Sequence, residues 1–186
     1  MRDSRRVGIL ISGRGSNMRA LVDSARNYEV VLVASNKPHA AGLRWAQEHG
    51  LATWSLESKG IERDAYDRAL SEALEAHQVG TIALAGFMRI LSPWFVDRWA
   101  GRIVNIHPSL LPKYRGLDTH ARAIAAGDSL AGCSVHLVTE ELDAGEVLGQ
   151  AQVPILASDE PGTLEQRVLA AEHRLYPEVL NEFVAR

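Results

Sequence analysis

The chain has 186 residues, 46% of them hydrophobic and 23% charged, enough to bury the core of one soluble domain and too few for a second large one. Its 20 Lys and Arg against 23 Asp and Glu leave a net charge of −3, which argues against a dedicated nucleic-acid surface but leaves room for a local basic pocket that holds a small anion. A single cysteine, Cys133, rules out an internal disulfide and a Cys-rich zinc framework, and the first apolar run, 7–11, is too short for a signal segment or a membrane span, so the chain reads as cytoplasmic.

Short β-branched and aliphatic runs alternate with helical patterns, as βαβ units require. Strands are expected at 7–12, 29–35, 81–87, 102–107, 132–138 and 147–153, with a brief one near 52–56. Helices are expected at 16–26, 40–49, 63–77, 118–126 and 163–184, and Ser92-Pro93 supplies an N-cap and a first-turn proline for one short helix more. The fold class is therefore α/β: a mostly parallel twisted sheet with helices on both faces, built by residues 1–186 as a single domain without repeat or linker. The longest irregular stretch, 108–117, follows a strand end and reads as an active-site lid.

The first strand runs into Ser12-Gly13-Arg14-Gly15-Ser16-Asn17, where two glycines let the backbone curl so that amides at the helix start face an anion. A dinucleotide fingerprint would need Gly at Met18 and an acidic residue after the second strand, where Ser35-Asn36-Lys37 stand instead, so a single phosphate is the reading. Later, Asn105 and His107 sit two residues apart at a strand end and share a face by alternation. Asp143 lies on a Gly-containing loop after the next strand. Imidazole, carboxylate and carboxamide together are a set for moving a proton beside a developing oxyanion.

These segments resemble the glycinamide ribonucleotide formyltransferase family, folate-dependent enzymes of purine synthesis. The resemblance spans nearly the whole chain and rests on I-S-G-R-G-S-N at 11–17, A-G-F-M-R-I-L-S-P at 85–93, N-I-H-P-S-L-L-P-K-Y at 105–114 and S-V-H-L-V-T-E-E-L-D-A-G at 134–145. It implies a Rossmann-like formyltransferase fold, with an N-terminal half that binds the phosphorylated substrate and a C-terminal half that binds folate and carries catalysis. It also implies transfer of the formyl group of 10-formyltetrahydrofolate, as cosubstrate and without a metal, to the amine of 5-phosphoribosylglycinamide. By this resemblance Asn105 and a protonated His107 hold the oxyanion, and Asp143 stabilises the imidazolium and organises water for the proton shuttle. Gly15, Ser16, Asn17 and Arg63 fall on phosphate contacts, and Glu172 on a residue facing the glycinamide. Met88, Arg89, Ile90 and Leu91 fall on the folate-contacting strand end, bordered by Glu140, Glu141 and Leu142. The partners implied are small molecules, with neither nucleic acid nor membrane; helix faces leave a homodimer open. Two departures, Arg115 where relatives commonly have Pro and Glu146 where Pro often follows Gly145, touch loops rather than reacting groups.

Outside that resemblance, His136 alternates with Val135 and Leu137 and reads as a hydrogen-bonded structural histidine, and Cys133 as a small core residue. A metal hydrolase on His107, His136 and Asp143 is a competing class, unsupported by any H-E-x-x-H spacing. A non-catalytic nucleotide-binding module is another, and it leaves the Asn/His/Asp set without a purpose.

Overall fold

A computed structural model describes residues 3–186. The strands are β1 (Arg6–Ile11), β2 (Glu29–Ser35), β3 (Thr53–Ser55), β4 (Thr81–Leu84), β5 (Ile103–His107), β6 (Leu130–Leu137) and β7 (Val147–Pro154). The helices are α1 (Ser16–Asp23), α2 (Ala41–Glu48), α3 (Arg63–Ala76), α4 (Pro93–Arg98), α5 (Thr119–Ala125) and α6 (Pro161–Phe183). The strands form one seven-stranded sheet in the order β3-β2-β1-β4-β5-β6-β7.

β1 to β5 are mutually parallel, whereas β6 and β7 run antiparallel to their neighbours. For β7 the connection supplies the reason. Residues between the first five strands include a helix in each crossover, while only 138–146 join β6 to β7, too few for the crossover a parallel pair needs. The central strands are apolar on both sides: Val7, Ile9, Leu10 and Ile11 of β1 are all fully buried. One face packs Met18 and Leu21 of α1, Leu43 and Ala46 of α2 and the apolar side of α6; the other packs Tyr66, Leu70 and Leu74 of α3 with Phe95 and Val96 of α4. The expected layers are thus present.

Most boundaries shift from the sequence reading by a residue or two, and the fourth strand and the first helix each end three residues early. The fourth strand stops at Leu84 instead of running to 87, because Gly86 adopts a left-handed φ of 76° and turns the chain out of the sheet. Residues 88–91 are consequently a loop, not a strand end. The first helix ends at Asp23, and β6 begins two residues earlier than expected, at Leu130.

Strand order reverses between β1 and β4. In such sheets the crevice outside the carboxyl ends of the strands at that reversal is where ligands settle. The turn after β1, the 85–92 loop after β4 and the lid after β5 all leave the sheet at this edge.

Candidate active site

Asn105 and His107 project from the last turns of β5, and the antiparallel register sets His136 of β6 directly opposite Asn105. Opposed residues of an antiparallel pair share a face. Asn105 Nδ2 accordingly lies 3.1 Å from His136 Nε2, and His136 Nδ1 lies 2.8 Å from the Leu137 carbonyl. A carbonyl only accepts, so Nδ1 carries the proton and Nε2 offers a lone pair to the Asn105 amide. Burial lowers the His136 pKa and keeps the ring neutral.

The same logic fixes His107. Its Nε2 is 2.9 Å from the Tyr114 carbonyl of the lid and must donate to it. The other nitrogen, Nδ1, stands 3.4 Å from Asp143 Oδ2, with both side chains 8% exposed. Asp143 holds a left-handed backbone, φ 50°, and its Oδ2 also accepts the Gly116 N–H at 2.9 Å. Its Oδ1 lies 3.6 Å from His136 Nε2. Asn105, His107 and Asp143, read from distant segments, therefore converge. His136, buried and hydrogen-bonded at both ring nitrogens as a structural histidine should be, stands beside them, and the β5–β6 register is what sets it against Asn105. Among the described residues, no group of three or more His, Cys, Asp or Glu side chains could hold a metal ion.

Lid contacts bind this cluster from above. Tyr114 Oη donates to Asp128 at 2.7 Å, and Arg115 pairs with Glu141 at 2.6 Å, so the residue standing where relatives commonly have Pro ties the lid to the 140–143 loop.

At the other side of the crevice, Gly15 caps α1 with φ 75° and no side chain caps the helix start, an arrangement of free backbone N–H groups whose chemistry suits an anion. Gly42 of α2 supports the turn: its N–H donates to the Gly13 carbonyl at 3.0 Å, and its Cα lies against Gly15. An open cleft beside the turn is lined by Ser12, Gly13, Arg14, Lys37 and His39 among others. Asn17 is buried, and its Nδ2 donates to Glu172 Oε2 at 2.7 Å, which joins two residues that the sequence had placed on the same substrate.

Arg63 does not join them. It is exposed at the start of α3, a helix that packs on the opposite face of the sheet from α1. Its helix instead meets the 88–92 loop, through Tyr66 beneath the Arg89 guanidinium at 4.7 Å and Asp67 accepting the Ser92 N–H at 2.6 Å.

That loop divides its four expected contacts. Met88 and Ile90 are about 70% exposed, whereas Leu91 enters the core and Arg89 lies over Tyr66. Glu140, Glu141 and Leu142 are exposed on the loop that carries Asp143. Ser12, part of the quoted turn but given no role by the sequence, connects the two sides: its hydroxyl donates to Asn36 Oδ1 at 2.6 Å and accepts the Met88 N–H at 2.8 Å.

Residues 5–180 match the formyl transferase family. The chain is 47% identical to phosphoribosylglycinamide formyltransferase of Escherichia coli K12 over 95% of its length and 86% of the relative's. It is also 47% identical to the trifunctional purine biosynthetic protein adenosine-3 of Drosophila melanogaster, over 95% of this chain but only 14% of that much longer protein. Among solved structures, phosphoribosylglycinamide formyltransferase from Brucella melitensis superposes with a TM-score of 0.92 at 49% identity, covering 98% of this chain and 96% of that one. The enzyme of the same name from Streptococcus pneumoniae gives 0.88 at 37%, covering 98% of each chain. With the match spanning the Gly13–Asn17 turn, the 88–91 loop and the Asn/His/Asp cluster alike, the chain belongs to the formyl transferase family.

Proposed function

We infer that the chain transfers the formyl group of 10-formyltetrahydrofolate to the amine of 5-phosphoribosylglycinamide, giving the formyl amide and tetrahydrofolate in purine synthesis. The observation that carries this reading is the convergence of Asn105, His107 and Asp143, with His107 Nδ1 3.4 Å from Asp143 and its other nitrogen held by the lid. The amine's lone pair attacks the formyl carbon and the carbonyl π pair moves to oxygen. A protonated His107 donates from Nδ1 and Asn105 from its carboxamide to that oxyanion. Asp143 stabilises the imidazolium and orders the water through which the amine's proton reaches the folate nitrogen. The bond from the formyl carbon to that nitrogen then breaks and tetrahydrofolate leaves.

Binding follows the two sides of the crevice. The backbone amides at Gly15, Ser16 and Asn17 take the phosphate, with Arg14 and Lys37 as the nearby cations in place of Arg63. Glu172 orients the glycinamide end. Exposed Met88 and Ile90, with the backbone of 88–91 and the 140–142 loop, offer an apolar wall for the flat pterin. A spectroscopic assay for tetrahydrofolate release, run with and without 5-phosphoribosylglycinamide, tests donor and acceptor together. Release should depend on the amine; release at the same rate without it, or none with it, would overturn the assignment.

A further inference from the structure

Asn17 is the second residue of α1, and its backbone belongs to the anion cradle, but its side chain leaves that cradle altogether. The carboxamide turns across the interface with α6 and donates to Glu172 Oε2 at 2.7 Å, spanning 155 positions of sequence. Both residues are more than nine-tenths buried, Asn17 at 8% and Glu172 at 6% exposure. The other carboxamide atom, Oδ1, is buried without a partner. One of the two N–H donors of this amide is thus committed to the Glu172 carboxylate, its oxygen can only accept, and the side chain as a whole is buried away from solvent.

We propose that Asn17 is a positioning residue that aims the Glu172 carboxylate at the substrate, and that its side chain contributes nothing to holding the phosphate. The proposal rests on reading the turn as the phosphate cradle and Glu172 as a substrate contact, and it divides the work at Asn17 between two parts of one residue. Its backbone N–H serves the anion; its side chain serves a group at the far end of the same molecule. One helix start is thereby linked to both ends of the substrate, and the distance between them is set by the α1–α6 packing.

The surroundings make the link consequential. Around Glu172 stand Glu165 on its own helix, Cys133 of β6 and Tyr176, none of them a cation, so the Asn17 N–H is the favourable partner opposing the desolvation of the carboxylate. Burial raises the Glu172 pKa and the Asn17 hydrogen bond pulls it down. Without that bond the group takes a proton more readily and is free to rotate.

Three measurements on the whole enzyme test this. In Asn17→Ala, KM for the phosphorylated amine should rise about tenfold or more, the loss of one hydrogen bond to a charged group, while the inhibition constant of inorganic phosphate stays within about twofold. In a Glu172→Gln background the same Asn17→Ala change should add little, since its effect runs through the missing carboxylate. Carbon NMR of the Glu172 carboxyl, which needs no substrate, should show its titration moving to higher pH in Asn17→Ala. Glu172→Gln keeps an oxygen that accepts from Asn17 and serves as the folding-competent companion, again with phosphate inhibition unchanged. Phosphate inhibition weakened in step with KM, additive losses in the double variant, or an unmoved Glu172 titration would each overturn the proposal. Failure of the amine-dependent assay with a normal NMR shift would instead count against the substrate alone.

Discussion

His107 has one nitrogen committed to the lid carbonyl and one left beside Asp143, so a single proton decides whether it can donate to an oxyanion. Replacing His107 by Phe should lower kcat by about 10²-fold or more with KM for the folate nearly unchanged, because the lost interaction belongs to the transition state. Stopped-flow or steady-state kinetics would read the split, and a near wild-type kcat would remove His107 from the mechanism. Asp143→Asn keeps the shape but not the charge and should also cut kcat strongly. Circular dichroism should show the fold intact, since the Gly116 N–H still finds an oxygen. The sequence made these residues legible because each stands in a contiguous motif with its own spacing. It did not show that His136 meets Asn105, because nothing local distinguishes a strand histidine facing a core from one facing a carboxamide.

Elements set the site through close approaches. Gly42 brings α2 against the Gly13–Gly15 turn, and a Cβ there would come within 2.5 Å of Ile11 Cδ1 and 3.2 Å of the Gly13 carbonyl. Gly42→Ala should therefore push the turn outward and raise KM for the phosphorylated amine more than it lowers kcat, measurable in the same assay. Helix α3 meets the loop after β4 through Asp67, a fully buried carboxylate whose pKa burial raises despite the Ser92 N–H it accepts. A carboxyl with a raised folded pKa favours the folded state at pH below its unfolded value, near 4, and loses that contribution as pH rises through the folded pKa. Asp67→Asn retains an oxygen for Ser92 and removes the charge. Its melting temperature should exceed that of the wild type at neutral pH, and the gain should shrink as pH approaches about 4; a gain that grows on acidification would contradict the burial argument. Helix and strand positions were legible from periodicity, yet the fourth strand was drawn too long because its apolar run continues past Gly86, where backbone conformation rather than hydrophobicity ends it.

At the scale of the whole molecule, α6 fastens the two halves of the sheet. Tyr176, fully buried, shares its single hydroxyl proton between the carbonyls of Leu84 and Val104, at 3.1 and 3.0 Å, on β4 and β5. These are the strands whose ends carry the 85–92 loop and the Asn/His pair. Tyr176→Phe should cost about 1–2 kcal/mol in urea unfolding, with an unchanged denaturant slope. An effect within error would mean that packing alone holds α6 in place.

The sequence by itself determined the α/β class, the order of elements, the Gly-rich turn and the separate motifs that carry Asn105, His107 and Asp143, because each of these is written in residues close together along the chain. Tertiary structure alone decided that His136 faces Asn105, that Asn17 spends its side chain on Glu172, that Arg63 lies on the other layer, and that Met88 and Ile90 turn outward while Arg89 and Leu91 turn in. Those outcomes depend on strand register and on which face of the sheet a helix covers. Both are fixed by burial summed over the whole core, a quantity that no short stretch of sequence contains.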